Sequence, residues 1–250
     1  MSSLRSEAYV LVRHPLTESS WIVSLFTREE GRVRAVAKGA KRTKSPFRGA
    51  LEPLSRVRVE VSLREGRDLG TVISADLEEG AMDLYGRWPQ AAVLMAVMEV
   101  LERGLPEHSR EEDTFRLVGA VLEGLRAGAS CPCSWAYFAV WFLRLHGILP
   151  RPDRCVTCGG PPRPLRFDAG AAGWVCPKCQ VGRPGRGVDL DRGGEAALGA
   201  LLASPLRELA GEAIAPESLR NLLDMVYLAL VTYLGRPLES GAGLENNLWR

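Results

Sequence analysis

The sequence contains no apolar run near the roughly 18 to 20 residues that a membrane-spanning helix needs. The longest candidate, residues 91–100, is interrupted at Glu99. Neither a Gly-x4-Gly-Lys-Ser/Thr loop nor a Gly-x-Gly-x-x-Gly fingerprint occurs, so nothing supports a nucleotide cofactor. Histidine is scarce: His14, His108 and His146 are scattered over a turn, a helix entry and a helix end, which argues against a His-centred triad or catalytic metal site. Carboxylates are plentiful but fall mostly on helix faces at salt-bridge spacing, where solvated ion pairs are the ordinary outcome. These absences point away from an enzyme. The N-terminal stretch places Glu7 before any apolar segment and has no small-residue cleavage site, unlike a secretion signal. The expectation is a cytoplasmic protein whose six cysteines are not structural disulfides.

The chain has 250 residues, 46% of them hydrophobic and 25% charged, close to a globular average and long enough for two modest domains. The net charge of +2 hides blocks of +3 over 1–80, −3 over 81–130, +5 over 131–190 and −3 over 191–250. Residues 28–48 carry Arg28, Arg32, Arg34, Lys38, Lys41, Arg42, Lys44 and Arg48 against only Glu29 and Glu30. A solvated loop is the plain reading of such a run. Here Gly31, Gly39 and Pro46-Phe47 suggest a strand leading into a mobile loop, the usual presentation of a phosphate-binding surface.

Two-residue alternation marks five strands, at Tyr9–Val12, Trp21–Phe26, Arg32–Val36, Arg56–Val61 and Thr71–Ile73. Five short strands in under 80 residues, with the longest connection between the third and fourth, suit a closed OB-type barrel better than a sandwich. An SH3-like barrel is the nearest competitor. From Pro89 the period becomes 3.6, predicting a helix to about Gly104. Ser109-Arg110-Glu111-Glu112 has the form of a capping box opening a second helix that runs to about Gly128. Residues 134–145, with Trp135, Tyr137, Phe138, Trp141 and Phe142, are apolar nearly all round and belong in the middle of a bundle. Helical periodicity resumes at about 193–213 and 216–235, with Pro216 in a first turn and Gly235 as a stop.

Between them lies a glycine- and proline-rich stretch, 151–187, containing Cys155-x2-Cys158, seventeen residues, then Cys176-x2-Cys179. This is the spacing of a four-thiolate zinc site, in which each pair aims two sulfurs at one point. Four soft ligands close the shell, so one structural Zn2+ per chain is expected, in a segment too poor in aliphatics to hold its own core. Thiol exchange is the rival for either pair taken alone. Cys131 and Cys133 read as small buried hydrophobes.

Three stretches together resemble the bacterial recombinational repair family RecO. They are Glu18 to Gly31 with Val36 to Ser45, then Cys155-Val-Thr-Cys-Gly159 with Phe167, Gly173, Cys176 and Cys179, and finally Leu222 to Leu228 with Tyr233-Leu-Gly-Arg-Pro-Leu-Glu-Ser240. The departure is Glu239, where the family's ending usually has lysine. The resemblance implies an α+β protein: an OB-type DNA-binding barrel over 1–80, then a helical domain over 81–250 with the zinc module inserted at about 151–187. It further implies a non-enzymatic protein of the RecFOR pathway, associated with the nucleoid. Such a protein binds single- and double-stranded DNA, anneals complementary strands and, with RecR, helps load RecA onto DNA coated by single-stranded DNA-binding protein (SSB). Arg32, Arg34, Lys38, Lys41, Arg42, Lys44 and Arg48 would then form the DNA-binding track, with Phe47 as the aromatic best placed to stack on a base. A zinc-ribbon RNA-binding or translation-associated protein remains the alternative reading.

Overall fold

The computed structural model describes residues 2–47, 49–63, 69–181, 187–210, 214–241 and 243–244. Five strands form the first part: β1 (Ser2–Pro15), β2 (Trp21–Thr27), β3 (Gly31–Ala37), β4 (Arg56–Leu63) and β5 (Gly70–Glu79). They close into a barrel in the order β1-β2-β3-β5-β4. All pairings are antiparallel except the closing one, where β3 meets β5 in parallel at Ala35–Gly70 and Val36–Thr71. The OB-type barrel expected from the sequence is therefore present. β1 reaches both neighbours by being long: its first half pairs with β4, and a bulge at Val10–Val12 carries it across to β2.

Alternation fills the barrel. Val23, Leu25, Val33, Ala35, Ala37, Val57, Val59, Val61 and Val72 point inward and are buried, and β-branched side chains of this kind suit a pleated, half-buried surface. The connection from β3 to β4 also enters this core, through Phe47, Ala50 and Leu51. Its turns are pinned by Arg42 N–H to the Gly39 carbonyl (3.0 Å), Ser45 N–H to the Arg42 carbonyl (2.9 Å) and Lys41 N–H to the Ser19 carbonyl (3.0 Å). The segment expected to be a mobile loop is thus anchored to the barrel. Phe47, expected to be available for stacking, is 6% exposed and serves as a plug.

Two helices follow, α1 (Met82–Tyr85) and α2 (Trp88–Gly104), the latter with Pro89 in its first turn. A compact unit extends from Met1 to Arg116, beyond the barrel itself. Its outer layer explains why β2 is buried on both faces: Phe115 packs with tilted rings against Tyr9 (4.7 Å between centroids) and Phe26 (5.5 Å). The residues before Phe115 come so close to the barrel that a Cβ on Gly31 would lie 1.8 Å from the Ser109 carbonyl oxygen. Gly31 also has φ +62°, so only glycine fits there.

The expected capping box does not form. α3 (Glu112–Arg126) begins two residues later than that cap would place it; Ser109 Oγ donates to the Glu111 carboxylate at 3.2 Å. Glu112, expected to reach back to Ser109, instead accepts from Arg28 Nε (3.0 Å) and Nη2 (2.7 Å). A bidentate charge-assisted pair outweighs one neutral capping bond.

The second compact unit runs from Leu117 to Arg250. Its central helix α4 (Cys131–Leu145) starts three residues earlier than the aromatic run suggested, because Ser130 caps it by accepting from Cys133 N–H (3.3 Å). It is apolar all round and buried over most of its length, as expected. Next come β6 (Arg166–Asp168), β7 (Gly173–Trp174), α5 (Pro177–Gln180) and β8 (Gly187–Asp189), then α6 (Arg192–Ala203), α7 (Leu206–Leu209) and α8 (Pro216–Leu234). The expected helix over 193–213 is divided at Ser204-Pro205, since a proline ring excludes the helical conformation from the residue before it. α8 ends on Gly235 in the left-handed conformation, as the sequence predicted. Trp141 ties α4 to α6 through its Nε1–H and the Leu201 carbonyl (3.0 Å), and Phe142 meets Tyr233 of α8 edge-on.

Candidate nucleic-acid interface and metal centre

The barrel carries two classes of cation. Six arginines are each paired with a carboxylate: Arg5 with Glu60, Arg13 with Glu52, Arg28 with Glu7 and Glu112, Arg32 with Glu102 and Glu107, Arg56 with Glu79, and Arg58 with Glu78. Among the described residues, Arg34, Lys38, Lys41, Arg42 and Lys44 make no ion pair. Arg34, Lys38, Arg42 and Lys44 are exposed and Lys41 is half-buried. The unpaired cations all lie on β3 and the anchored turns after it.

Arg32 must be separated from the track proposed for it. Its side chain is only 15% exposed, bonded to Glu102 at 3.2 Å and Glu107 at 3.1 Å, and its Nε donates to the Leu105 carbonyl. Arg32 and Arg34 share the outer face of β3, but the 102–107 segment covers the first and not the second. Arg48 lies outside the described residues.

Lys41 occupies a distinct environment. Its ammonium donates to the Thr17 carbonyl (2.7 Å) and sits 4.4 Å from the centroid of the Trp21 ring, with the Arg13 guanidinium 5.5 Å from the same ring. Together with Arg42, Thr43, Phe47 and Glu52 they line a cleft of about 250 Å³ at the end of the barrel. Sequence reasoning missed Trp21 as its wall. The available signal was its place at the start of β2, opposite Pro15 and Ala37 and next to the basic turns.

The four cysteines expected to bind metal converge. The Sγ atoms of Cys155, Cys158, Cys176 and Cys179 all lie within 4.8 Å of one another, and could hold a metal ion. Cys158 and Cys176 sulfurs are 3.7 Å apart, close to the roughly 3.8 Å edge of a tetrahedron with metal–sulfur bonds of about 2.3 Å. Burial pushes the Cys155 thiol up, but N–H groups of Cys176, Cys158 and Thr157 aimed at its sulfur outweigh this and bring it to about 6. The Cys176 N–H lies 3.4 Å from that sulfur. Cys179 is pushed up to about 12 by its hydrogen bonds to Cys158 and Cys176 and by burial. Sulfurs this close cannot all lose their protons without a positive charge to offset their mutual repulsion, and a bound cation supplies it.

The module has more core than its composition promised. Phe167 and Trp174 are fully buried and meet edge-on at 5.8 Å, and Trp174 Nε1–H bonds the Pro150 carbonyl at 2.9 Å. They belong to a three-stranded sheet, β7-β6-β8. Cys133 is buried and its thiol is pushed up to about 11 by that burial, in keeping with a packing role.

Comparison with known proteins agrees with this architecture. The family described as "Recombination protein O N terminal" matches residues 1–81, and "Recombination protein O C terminal" matches residues 88–242. "DNA repair protein RecO" of Geobacter metallireducens is 36% identical over 253 residues, covering 98% of each chain. The protein of the same name from Anaeromyxobacter sp. (strain K) is 35% identical over 230 residues, 91% of this chain and 90% of the relative. That of Koribacter versatilis is 41% identical over 158 residues, 62% of this chain and 63% of the relative. With both family matches in chain order on a closed barrel, a helical unit and a four-cysteine cluster, the chain belongs to the RecO family of DNA repair proteins.

Proposed function

We propose that the protein is a non-catalytic DNA-binding mediator of recombinational repair, which binds single- and double-stranded DNA and anneals complementary strands. With RecR it assists RecA loading onto SSB-coated single strands, and it acts in the cytoplasm at the nucleoid. The observation that carries the DNA-binding part is the segregation of cations on the barrel. Six arginines are spent on carboxylates, whereas among the described residues Arg34, Lys38, Lys41, Arg42 and Lys44 have no counter-charge, on one strand and its following turns. Such a surface attracts the phosphodiester backbone without reading bases. Annealing follows from the same property, since partial neutralisation of two strands lowers the repulsion that keeps them apart. No helix among the described residues is long and apolar enough to cross a membrane.

Within this reading the four cysteines hold one Zn2+ per chain. The soft donor set and the sulfur spacing favour it over harder ions. Bound there, the metal would lock two knuckles together and leave no position for a reactive water, so its contribution is to the fold.

The test is fluorescence annealing of complementary oligonucleotides, bare and SSB-coated, without ATP. Acceleration on both substrates is expected, together with capture of the same organism's RecR and SSB at moderate salt. No acceleration on bare strands overturns the annealing activity; annealing without either protein contact overturns the mediator role.

A further inference from the structure

The cleft at the barrel end is built around a ring that two cations already address. Trp21 is half-buried, its indole faced by Lys41 Nζ at 4.4 Å and the Arg13 guanidinium at 5.5 Å. Arg13 is held by Glu52 at 2.9 Å, while the Lys41 ammonium has a neutral partner, the Thr17 carbonyl, and among the described residues no carboxylate. The other barrel aromatics are closed off, with Tyr9, Phe26 and Phe47 at most 6% exposed. We propose that Trp21 is a stacking platform for one unpaired nucleobase, with Lys41 and Arg42 receiving the phosphate beside it, so that this cleft gives single strands an advantage over duplex.

The proposal rests on the DNA-binding reading and adds the recognition element that a bare electrostatic track lacks. A phosphate track binds duplex and single strand through the same groups. An aromatic face is useful only to a base that has left its stack, because a paired base has both faces covered. Stacking on an aromatic changes affinity by about 5- to 150-fold per base, against about 2- to 30-fold for a cation over a ring, depending on how far the cation is desolvated. A base that takes the place of Lys41 on the indole makes a contact of equal or greater strength, and the displaced ammonium, tethered beside the cleft, is available to the phosphate of the same nucleotide. The lining residues provide for both halves of a nucleotide: Trp21 for the base, and Lys41, Arg42 and Thr43 as donors for its phosphate.

The decisive measurement uses the unaltered protein with three probes of equal length at one salt concentration: a single-stranded oligonucleotide, the same backbone with abasic sites throughout, and the duplex. The base-bearing strand should bind at least 5-fold more tightly than the abasic one. Trp21→Ala should remove that difference while leaving abasic and duplex affinities within about 2-fold, and Trp21→Phe, which preserves the packing against the barrel core, should retain part of it. Equal binding of base-bearing and abasic strands by the unaltered protein overturns the stacking site and leaves the DNA-binding reading intact. So does a uniform loss on all three probes in a folded Trp21→Phe protein. Failure to bind any probe overturns both.

Discussion

Arg32 and Arg34 stand two residues apart on the same face of one strand, yet they have opposite fates. The pleat makes them equivalent; only the segment that later folds over Arg32, bringing Glu102 and Glu107, separates them. No local pattern contains that information, because the partners lie about seventy residues away. The same is true of Glu112, whose spacing from Ser109 fitted a cap while its geometry serves Arg28. Each was legible as a charge and illegible as a partner. The Arg28 contact holds the Glu112 carboxyl below its usual range, chiefly through the hydrogen bond and then through opposite charge. A carboxylate depressed in the folded state adds stability above its unfolded pKa and loses it as pH falls through the folded value. Melting temperature should therefore fall more steeply between pH 6 and pH 3 in the unaltered protein than in Glu112→Gln. Parallel curves for the two proteins would show that the pair is screened to nothing by solvent.

At the scale of elements, strands such as β3 and β4 were readable because their apolar residues alternate, and α4 was readable from residue 134 onward because its apolar character is continuous. What escaped was short or set by distant contacts. β6, β7 and β8 have two or three residues each, too few for any period to emerge, and α7 exists because Pro205 stops α6. The cysteine spacing, by contrast, specified the cluster outright, since two tight knuckles have few ways to converge. The unforeseen sheet changes what metal removal should do. Phe167, Trp174, Leu165 and Leu190 are buried independently of the sulfurs, so the module should not melt completely. We expect one zinc per chain by elemental analysis, and its loss with the Cys155→Ser, Cys176→Ser double variant. Chelation should bring fast amide exchange to 155–160 and 175–180, and much smaller changes at 166–168 and in the barrel. Full retention of zinc in the double variant would refute the ligand set; exchange spreading across β6 would show that the metal, and not the aromatic pair, holds the sheet.

For the molecule as a whole, the family boundary falls after residue 81 while the first compact unit continues to Arg116, because the barrel needs Phe115 and the 102–112 carboxylates to cover β1, β2 and β3. That covering pairs Arg28 and Arg32 and stops short of Arg34 on the same face of β3, so that among the described residues Arg34 and the cations of the following turns keep their charge unpaired. The test of this division compares two sets of substitutions. Lys38, Arg42 and Lys44 are exposed and, among the described residues, unpaired, so changing all three to Gln removes phosphate contacts without removing packing. If each meets one phosphate, the slope of log affinity against log salt should flatten by roughly 2 for single strands and nearer 3 for duplex, at about 0.7 and 0.9 per contact. Loss of affinity should be similar for unrelated base sequences, because phosphates carry no base information, and the melting temperature should hardly move, since surface changes usually stay within about 0.5 kcal/mol. Arg32→Gln should do the reverse, lowering stability by leaving Glu102 and Glu107 unpaired while the salt slope stays as it was. A triple variant that is folded and keeps the full slope would move the DNA-binding surface to the second basic region, where Arg151, Arg154 and Lys178 are exposed around the cysteine knuckles.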